Sequence, residues 1–274
     1  MLTLRKYQAD AIEAMRQSFR SGKKRAVLML PTGSGKTFIA SEMIRSALAR
    51  GMQRCLFVCD RIELINQTSE RFAADGIDHG VIQAQHPCYA PEKPVQVCSI
   101  QTLARRKTED YTLLVIDEAH TLHQAHIKLM EANPESWVVG LTATPFAKGM
   151  GKHFDDLVYP VTAESLIKQG YLSPYVAYGP ATIDVSGVKT VRGDFDPEEI
   201  AKRADQPKLV ADVVQTWLKR AGGRRTICFA TNIAHSKHLV REFQRYGVVA
   251  EHLDCYTGQG AEETVTPREL TDRF

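Results

Sequence analysis

Four uninterrupted apolar runs, each followed by a polar turn and mostly by a helical pattern, restrict this chain more than any other feature. They are Ala26-Val27-Leu28-Met29-Leu30, Cys55-Leu56-Phe57-Val58-Cys59, Leu113-Leu114-Val115-Ile116 and Trp137-Val138-Val139-Gly140-Leu141. A shorter run, Val95-Gln96-Val97-Cys98, joins them. Apolar runs of this length without polar alternation suit strands buried on both faces, which is the condition of a parallel sheet. Helical patterns follow from Lys36 to about Arg50, from about Ile62 to Ala73 and near Thr102–Arg106. The expected fold class is therefore α/β, a parallel sheet flanked by helices. Ligands of such sheets bind beyond the carboxyl ends of the strands. The residues just after each run are the first candidates for chemistry.

Pro31, Thr32, Gly33, Ser34, Gly35, Lys36 and Thr37 stand between the first run and its helix. Glycines let backbone N–H groups turn inward around an anion without a side-chain clash. The following helix presents its positive end to the same anion. Lys36 can reach β and γ phosphates, and the Thr37 hydroxyl can coordinate Mg2+. A strict P-loop starts with Gly where this chain has Leu30, but the turn glycines remain. Asp117-Glu118-Ala119-His120 follows the third long run. Acids at the end of a buried strand are costly unless they meet a cation or partner. Asp117 can hold Mg2+, and Glu118 can orient or deprotonate an attacking water. His120 could sense the γ phosphate or bridge to a neighbouring motif, or serve as a hydrogen-bonded structural residue. His123 and His126 read as exposed helix positions without a role. Their spacing with His120 does not gather three metal ligands.

Composition adds bounds. Of the 274 residues 43% are hydrophobic and 24% charged, as in a soluble globular protein. No apolar run is long enough for a membrane span, and the N-terminus lacks the apolar core of a signal peptide. Six cysteines, none in a CxxC pair, read as buried thiols of a reducing cytoplasm. The net charge is +3. Arg16, Arg20, Lys23, Lys24 and Arg25 form a basic cluster that could attract phosphates or simply be a solvated helix end and loop.

On these motifs the chain resembles superfamily 2 helicases and translocases of the DEAH/DExH type. Leu4-Arg5-Lys6-Tyr7-Gln8 resembles the segment ahead of the P-loop, whose glutamine reads adenine. Pro31–Thr37 matches motif I, and Asp117–His120 matches motif II. Asp60-Arg61-Ile62-Glu63-Leu64-Ile65-Asn66-Gln67 resembles motif Ia, and Ser99-Ile100-Gln101-Thr102-Leu103 the next nucleic-acid-contacting motif. Leu141-Thr142-Ala143-Thr144-Pro145 matches motif III. The resemblance implies a RecA-like domain that binds ATP and Mg2+ and hydrolyses ATP. Arg5 and Gln8 would meet the nucleotide. Thr142 and Thr144, with His120, would couple hydrolysis to strand movement. Arg61, Gln101 and Thr102 would contact a nucleic-acid backbone, DNA in preference to RNA.

The resemblance also implies an organisation. Residues 1–146 would form the first RecA-like domain, 147–207 a connector, and 208–274 a partial second domain opening with strands at Thr226–Ala230 and Val248–Leu253. No Q-x-x-G-R-x-x-R segment, the family's arginine-finger motif, occurs in the sequence. A truncated second domain, or a separate chain supplying the late motifs, would account for that. The chain alone would then bind ATP but turn it over slowly. A non-catalytic, ATP-gated nucleic-acid-binding module and a motor fragment of a restriction-type complex stay open beside the helicase reading. A small-molecule P-loop kinase leaves Thr142-Ala143-Thr144 unexplained.

Overall fold

The computed structural model describes residues 3–106, 110–178, 185–191, 194–205, 207–254 and 256–257. In chain order the first unit contains α1 (Lys6–Arg20), β1 (Arg25–Met29), α2 (Lys36–Ala49), β2 (Cys55–Cys59), α3 (Ile62–Ala74), β3 (His79–Ile82), β4 (Val95–Ser99), α4 (Ile100–Leu103), β5 (Leu113–Ile116), α5 (Gln124–Ala132), β6 (Trp137–Thr142), β7 (Asp156–Val158) and α6 (Ala163–Lys168). It extends to Tyr175. The seven strands form one parallel sheet in the order β3-β4-β2-β5-β6-β1-β7. The expected fold class, a RecA-like α/β domain, is the one observed.

Strand periodicity divides the apolar runs between two cores. Leu28, Phe57, Val97, Val115, Val139 and Leu141 point to one face, where they meet Ala11 and Met15 of α1, Ile39 and Ile44 of α2, and Ile65 and Phe72 of α3. Their neighbours Val27, Leu56, Val58, Leu114, Ile116 and Val138 point to the other, with Leu103, Leu129, Met130 and Phe154. Each strand thus feeds both layers, which is why its run shows no polar alternation.

The stretch expected to be a connector contributes β7 and α6 to this unit. Asp156 accepts a 2.5 Å bond from Ser18 Oγ, and Asp155 accepts bonds from the Lys24 and Arg25 N–H groups at 3.1 and 3.0 Å. These acids fasten β7 beside β1. Two strands are too short or polar to stand out in the sequence: β3, with His79 and Gly80, and the three-residue β7.

The second unit starts at Val176. It has a short antiparallel pair, β8 (Thr190–Val191) and β9 (Asp194–Phe195), then α7 (Pro197–Ala204), α8 (Pro207–Ala221) and α9 (Ile233–Arg245). Asp196 caps α7 by accepting from the Glu198 and Glu199 N–H groups. Trp217 of α8 meets Phe243 of α9 edge-on at 5.5 Å. The strands expected at 226–230 and 248–253 do not form. A strand exists through its ladder, and among the described residues neither segment has a pairing partner. Phe229 and Val249 are accordingly 92% and 93% exposed. Cys255 and residues 258–274 of the expected partial second domain lie outside the described residues. Among the described residues no helix is long and apolar enough to cross a membrane.

The cysteine expectation needs correction in part. Cys55, Cys59 and Cys98 are buried strand residues, and burial pushes the Cys55 thiol up to about 12. Cys88 and Cys228 are exposed, because one lies in the loop after β3 and the other in an unpaired segment. The basic cluster is largely paired within the fold. Arg16 and Arg20 bond Glu13, Lys24 pairs with Glu135, and Arg25 donates to the Met130 carbonyl at 3.0 Å. Arg25 opens β1, so the cluster lies at the amino edge of the sheet, opposite the motif loops.

Candidate nucleotide site and nucleic-acid edge

The strand order arranges the motif loops along one carboxyl edge. Passing along it from β4 to β1, this edge carries Gln101 and Thr102 of α4, then Arg61, then Asp117–His120, then Thr142 at the end of β6 with Thr144 beyond it, then Pro31–Thr37. Only β6 separates the strand leading to Lys36 from the strand leading to Asp117. The acidic motif occupies the middle of the edge, between the phosphate-type loop and the two loops expected to meet nucleic acid.

The Pro31–Thr37 turn is held from behind. Tyr7 Oη donates to the Ser34 carbonyl at 2.7 Å, and Gln8 Nε2 donates to the same oxygen at 3.2 Å. Gly33 and Gly35 have φ of 80° and 83°, in the left-handed region that side chains resist. A Cβ on Gly35 would also lie 2.9 Å from Gln8 Nε2. Gly35 caps α2 without a side chain, and α2 has no acid in its first turn. Its leading N–H groups thus meet no side-chain cap and no acid of its own first turn, which suits them to hold a phosphate. Thr32 is exposed, Pro31, Lys36 and Thr37 are half-buried, and the buried Ser34 Oγ has no hydrogen-bond partner.

Gln8 is a buried residue, 5% exposed. Its Oε1 accepts from the Arg5 N–H at 3.0 Å while its Nε2 serves Ser34. Its carboxamide therefore ties the start of α1 to the phosphate-type turn. Arg5 is exposed beside it.

Asp117 is half-buried, and its N–H continues the β-ladder by donating to the Val58 carbonyl at 3.0 Å. Burial raises its carboxyl pKa, and the neighbouring Glu118 charge adds to this. The Glu118 N–H, Lys36 and His120 act in the opposite direction. Glu118 takes the left-handed conformation, φ 46° and ψ 49°. For a non-glycine residue this costs about 1–2 kcal/mol, and such strain concentrates at functional positions. The turn sends the chain into a 3-10 segment, Ala119–Thr121, and leaves the Glu118 carboxylate partly exposed.

His120 is where two motif loops meet. Its Nδ1 lies 2.9 Å from Thr142 Oγ1 and 3.3 Å from Glu118 Oε2. Thr142 Oγ1 also accepts from the Thr144 N–H at 3.0 Å. Thus Glu118, His120, Thr142 and Thr144 form one connected polar chain across β5 and β6. Gly140 permits this closeness, since a Cβ there would meet the Ala119 Cβ at 2.9 Å.

On the other side, Arg61 is exposed at the N-cap of α3. Gln101 is exposed but engaged: its Nε2 donates to the Asp60 carbonyl at 2.9 Å and its Oε1 accepts from Ser99 Oγ at 2.7 Å. The Thr102 hydroxyl accepts from the Ala84 N–H at 3.4 Å. These two side chains brace the edge, and Arg61 projects from it.

His126 corrects the sequence reading, which placed it on an exposed face. It is 2% exposed, and its Nδ1 accepts from the His123 N–H at 3.1 Å, closing the first turn of α5. Only His123, ahead of the helix, is exposed. Burial and the nearby His123 lower the His126 pKa to about 4. The unfolded chain, with a histidine near 6.5, binds the proton more readily. Stability from this site is therefore intact above about pH 6.5 and lost as pH falls toward about 4. Urea unfolding should show that slope, and His126→Gln, which keeps an acceptor without titrating, should flatten it. An unchanged slope would assign the acid sensitivity elsewhere.

Sequence reasoning did not single out Tyr7 as a support of the turn, nor Tyr171 and Leu172, which pack beside it. Tyr7 stood within a recognised segment. Tyr171 and Leu172 fall in a proline-bearing stretch without periodicity, and nothing there marks a contact with residue 33.

Glycine turn, uncapped helix, desolvated acid and carboxyl-edge placement together define a RecA-like P-loop domain of the superfamily 2 kind. Residues 1–147 match the family described as type III restriction enzyme, res subunit. The chain belongs to that family, within the superfamily 2 helicases and translocases. A 51.5 kDa protein of Lactococcus phage (isolate 7-9) is 29% identical, the match covering 84% of this chain and 49% of that protein. A protein described as a mitochondrial ATP-dependent helicase, irc3, of Schizosaccharomyces pombe is 28% identical over 96% of this chain and 47% of its own length. The chain thus spans about half the length of these curated relatives. Among solved structures, the type ISP restriction-modification enzyme LlaBIII bound to DNA aligns with a TM-score of 0.60 at 16% identity. That alignment covers 89% of this chain and 21% of the other, and it speaks to fold alone.

Proposed function

We propose that this chain carries the ATP-binding part of a nucleic-acid motor and couples ATP hydrolysis to movement along DNA. One observation carries the reading. An uncapped, glycine-led helix N-terminus and a burial-strained carboxylate emerge at the same sheet edge, separated by a single strand. An anion suits the first and a cation the second. A nucleotide triphosphate with Mg2+ is the ligand that satisfies both.

The donors fit Mg2+. Asp117 and Thr37 are hard oxygen ligands, and Mg2+ is typically held by one or two protein oxygens, with phosphates and water completing its shell. When bound, it would neutralise charge on the β and γ phosphates. Lys36 and the leading N–H groups of α2 bind and orient those phosphates. Glu118 positions the attacking water and takes its proton. His120 ties Glu118 to Thr142 and Thr144, so a shift of the motif III loop reaches the base. Arg61 would contact the nucleic-acid backbone, which holds register without reading sequence. DNA is favoured over RNA by the match to the restriction-enzyme family.

Lys36→Ala should weaken ATP binding about 10–100-fold, the worth of a hydrogen bond to a charged group. Titration of a fluorescent ATP analogue checks this, and unaltered affinity would remove Lys36 from the site. The reading as a whole is tested by single-turnover phosphate release with and without single- and double-stranded DNA and RNA. Release that is the same in wild type and Glu118→Gln under every condition would exclude hydrolysis by this chain. A nucleotide-gated nucleic-acid clamp would then stand in its place.

A further inference from the structure

An aromatic residue outside every recognised motif sits against the candidate nucleotide site. The cap of α6 is firm: Thr162 Oγ1 accepts from the Ser165 N–H at 3.0 Å, and Leu166 is fully buried. Past the helix, Gly170 adopts φ 75°. The Tyr171 and Leu172 N–H groups then both donate to the Leu166 carbonyl, at 2.9 and 3.2 Å. This turn fixes the direction of the next two side chains. Leu172 falls on the phosphate-type turn, its Cδ2 lying 3.1 Å from where a Cβ on Gly33 would be. Tyr171 falls on the start of α1. Its ring meets Tyr7 at 5.0 Å, tilted by 56°, and the Arg5 guanidinium lies over it at 5.1 Å. Tyr171 is 36% exposed, and Arg5 is exposed.

We propose that Tyr171 is the stacking platform for the purine base of the bound nucleotide, working with Arg5. The inference rests on the nucleotide reading given above and deepens it. Phosphates held at Gly33–Thr37 fix one end of the ligand, and Gln8 alone bridges from Ser34 to the Arg5 backbone. The base at the other end therefore comes within reach of the Arg5–Tyr171 pair. Hydrogen-bond readout of the base is limited there, because Gln8 Oε1 is taken by the Arg5 N–H and its Nε2 serves Ser34. A flat, partly exposed ring under a guanidinium supplies what remains, a π-face and a planar cation. The base takes the ring face that the guanidinium now covers, and the guanidinium moves to the base's far side.

The test separates base from phosphate. Binding of ATP, CTP and inorganic tripolyphosphate, each with Mg2+, is measured by calorimetry for wild type, Tyr171→Ala, Tyr171→Leu and Tyr171→Phe. Stacking on an aromatic side chain implies about a tenfold loss of ATP affinity in the alanine and leucine variants. CTP affinity should fall less, tripolyphosphate affinity should hold, and phenylalanine should restore ATP binding. The leucine variant keeps an apolar group against Tyr7, so a fault in folding of the alanine variant does not decide the matter. Equal ATP affinity in all four proteins overturns the inference. So does an equal loss for ATP and tripolyphosphate, which would make Tyr171 a prop for the phosphate turn. A wild type that binds none of the three ligands overturns the nucleotide reading itself, and this inference with it.

Discussion

Glu118→Gln is expected to lower nucleic-acid-stimulated phosphate release by about 10²–10⁴-fold, the contribution of a positioned general base. ATP binding should be little changed. The side chain keeps its length, and the glutamine carboxamide can keep the same place beside His120, whose Nδ1 lies 3.3 Å from Glu118 Oε2. What disappears is the capacity to take a proton. The contacts to phosphate proposed for Lys36 and the start of α2 do not involve Glu118. Single-turnover release and equilibrium ATP binding, measured on the same preparation, separate the two effects. A parallel loss of binding would mean that residue 118 shapes the site rather than acting in it. The left-handed backbone makes that alternative worth measuring, since φ 46° is a demanding conformation for any side chain here. Glu118→Gly supplies the control: it relieves the backbone but removes the base, so activity should stay low.

Phe57→Ala should destabilise the first unit by about 3–5 kcal/mol, as expected for removing a buried phenylalanine. Phe57 is wholly buried on β2, which lies between β4 and β5. Its ring meets Phe72 of α3 edge-on at 5.5 Å, and Phe72 meets His79 in the same manner at 5.7 Å. Truncation opens a void between the sheet and α3, and neighbouring strands held by ladders cannot move in to fill it. Domains of this kind hold only about 5–15 kcal/mol in total, so the variant should lose much of its margin. Urea unfolding checks this through a lower midpoint at an unchanged slope. A midpoint within error of wild type would mean that the core relaxes around the gap.

The parts of the architecture legible in the sequence were those where both faces of a strand are buried. Cys55–Cys59 and Leu113–Ile116 are apolar throughout because each feeds two cores. Their strand character needed no alternation to be seen. β3 was hidden because His79 and Gly80 break its apolar run; His79 instead bonds Ser69 Oγ through Nε2 at 2.8 Å. The segments at 226–230 and 248–253 misled for the converse reason. Arg225-Thr226-Ile227-Cys228-Phe229-Ala230 has strand composition, but composition does not supply a ladder partner. At the site, Pro31–Thr37 and Asp117–His120 could be read from residue type and from their place after apolar runs. A bridge from His120 to a neighbouring motif was one of the roles read for it, but residue type alone did not single out Thr142 as the partner, because the two lie 22 apart in sequence across adjacent strands. His126 was misplaced because a histidine at helical spacing looks polar, whereas here its ring closes a helix turn beneath the surface.

The place of β1 in the sheet has a consequence for how the protein is made. β1 lies between β6 and β7, whose residues begin at Trp137 and Asp156, more than a hundred positions later. As the chain leaves the ribosome, the strand that leads to Lys36 has no neighbour to pair with until nearly the whole unit has been synthesised. β2 and β4, by contrast, find each other early. Contacts between distant residues form slowly and leave apolar strands open to association meanwhile. Within this unit the phosphate-type turn is thus translated ahead of most other parts and is among the last to take shape. A nascent chain released after Thr144 but before Asp156 would carry every motif from Gln8 to Thr144 and still lack one of the two strands that flank β1.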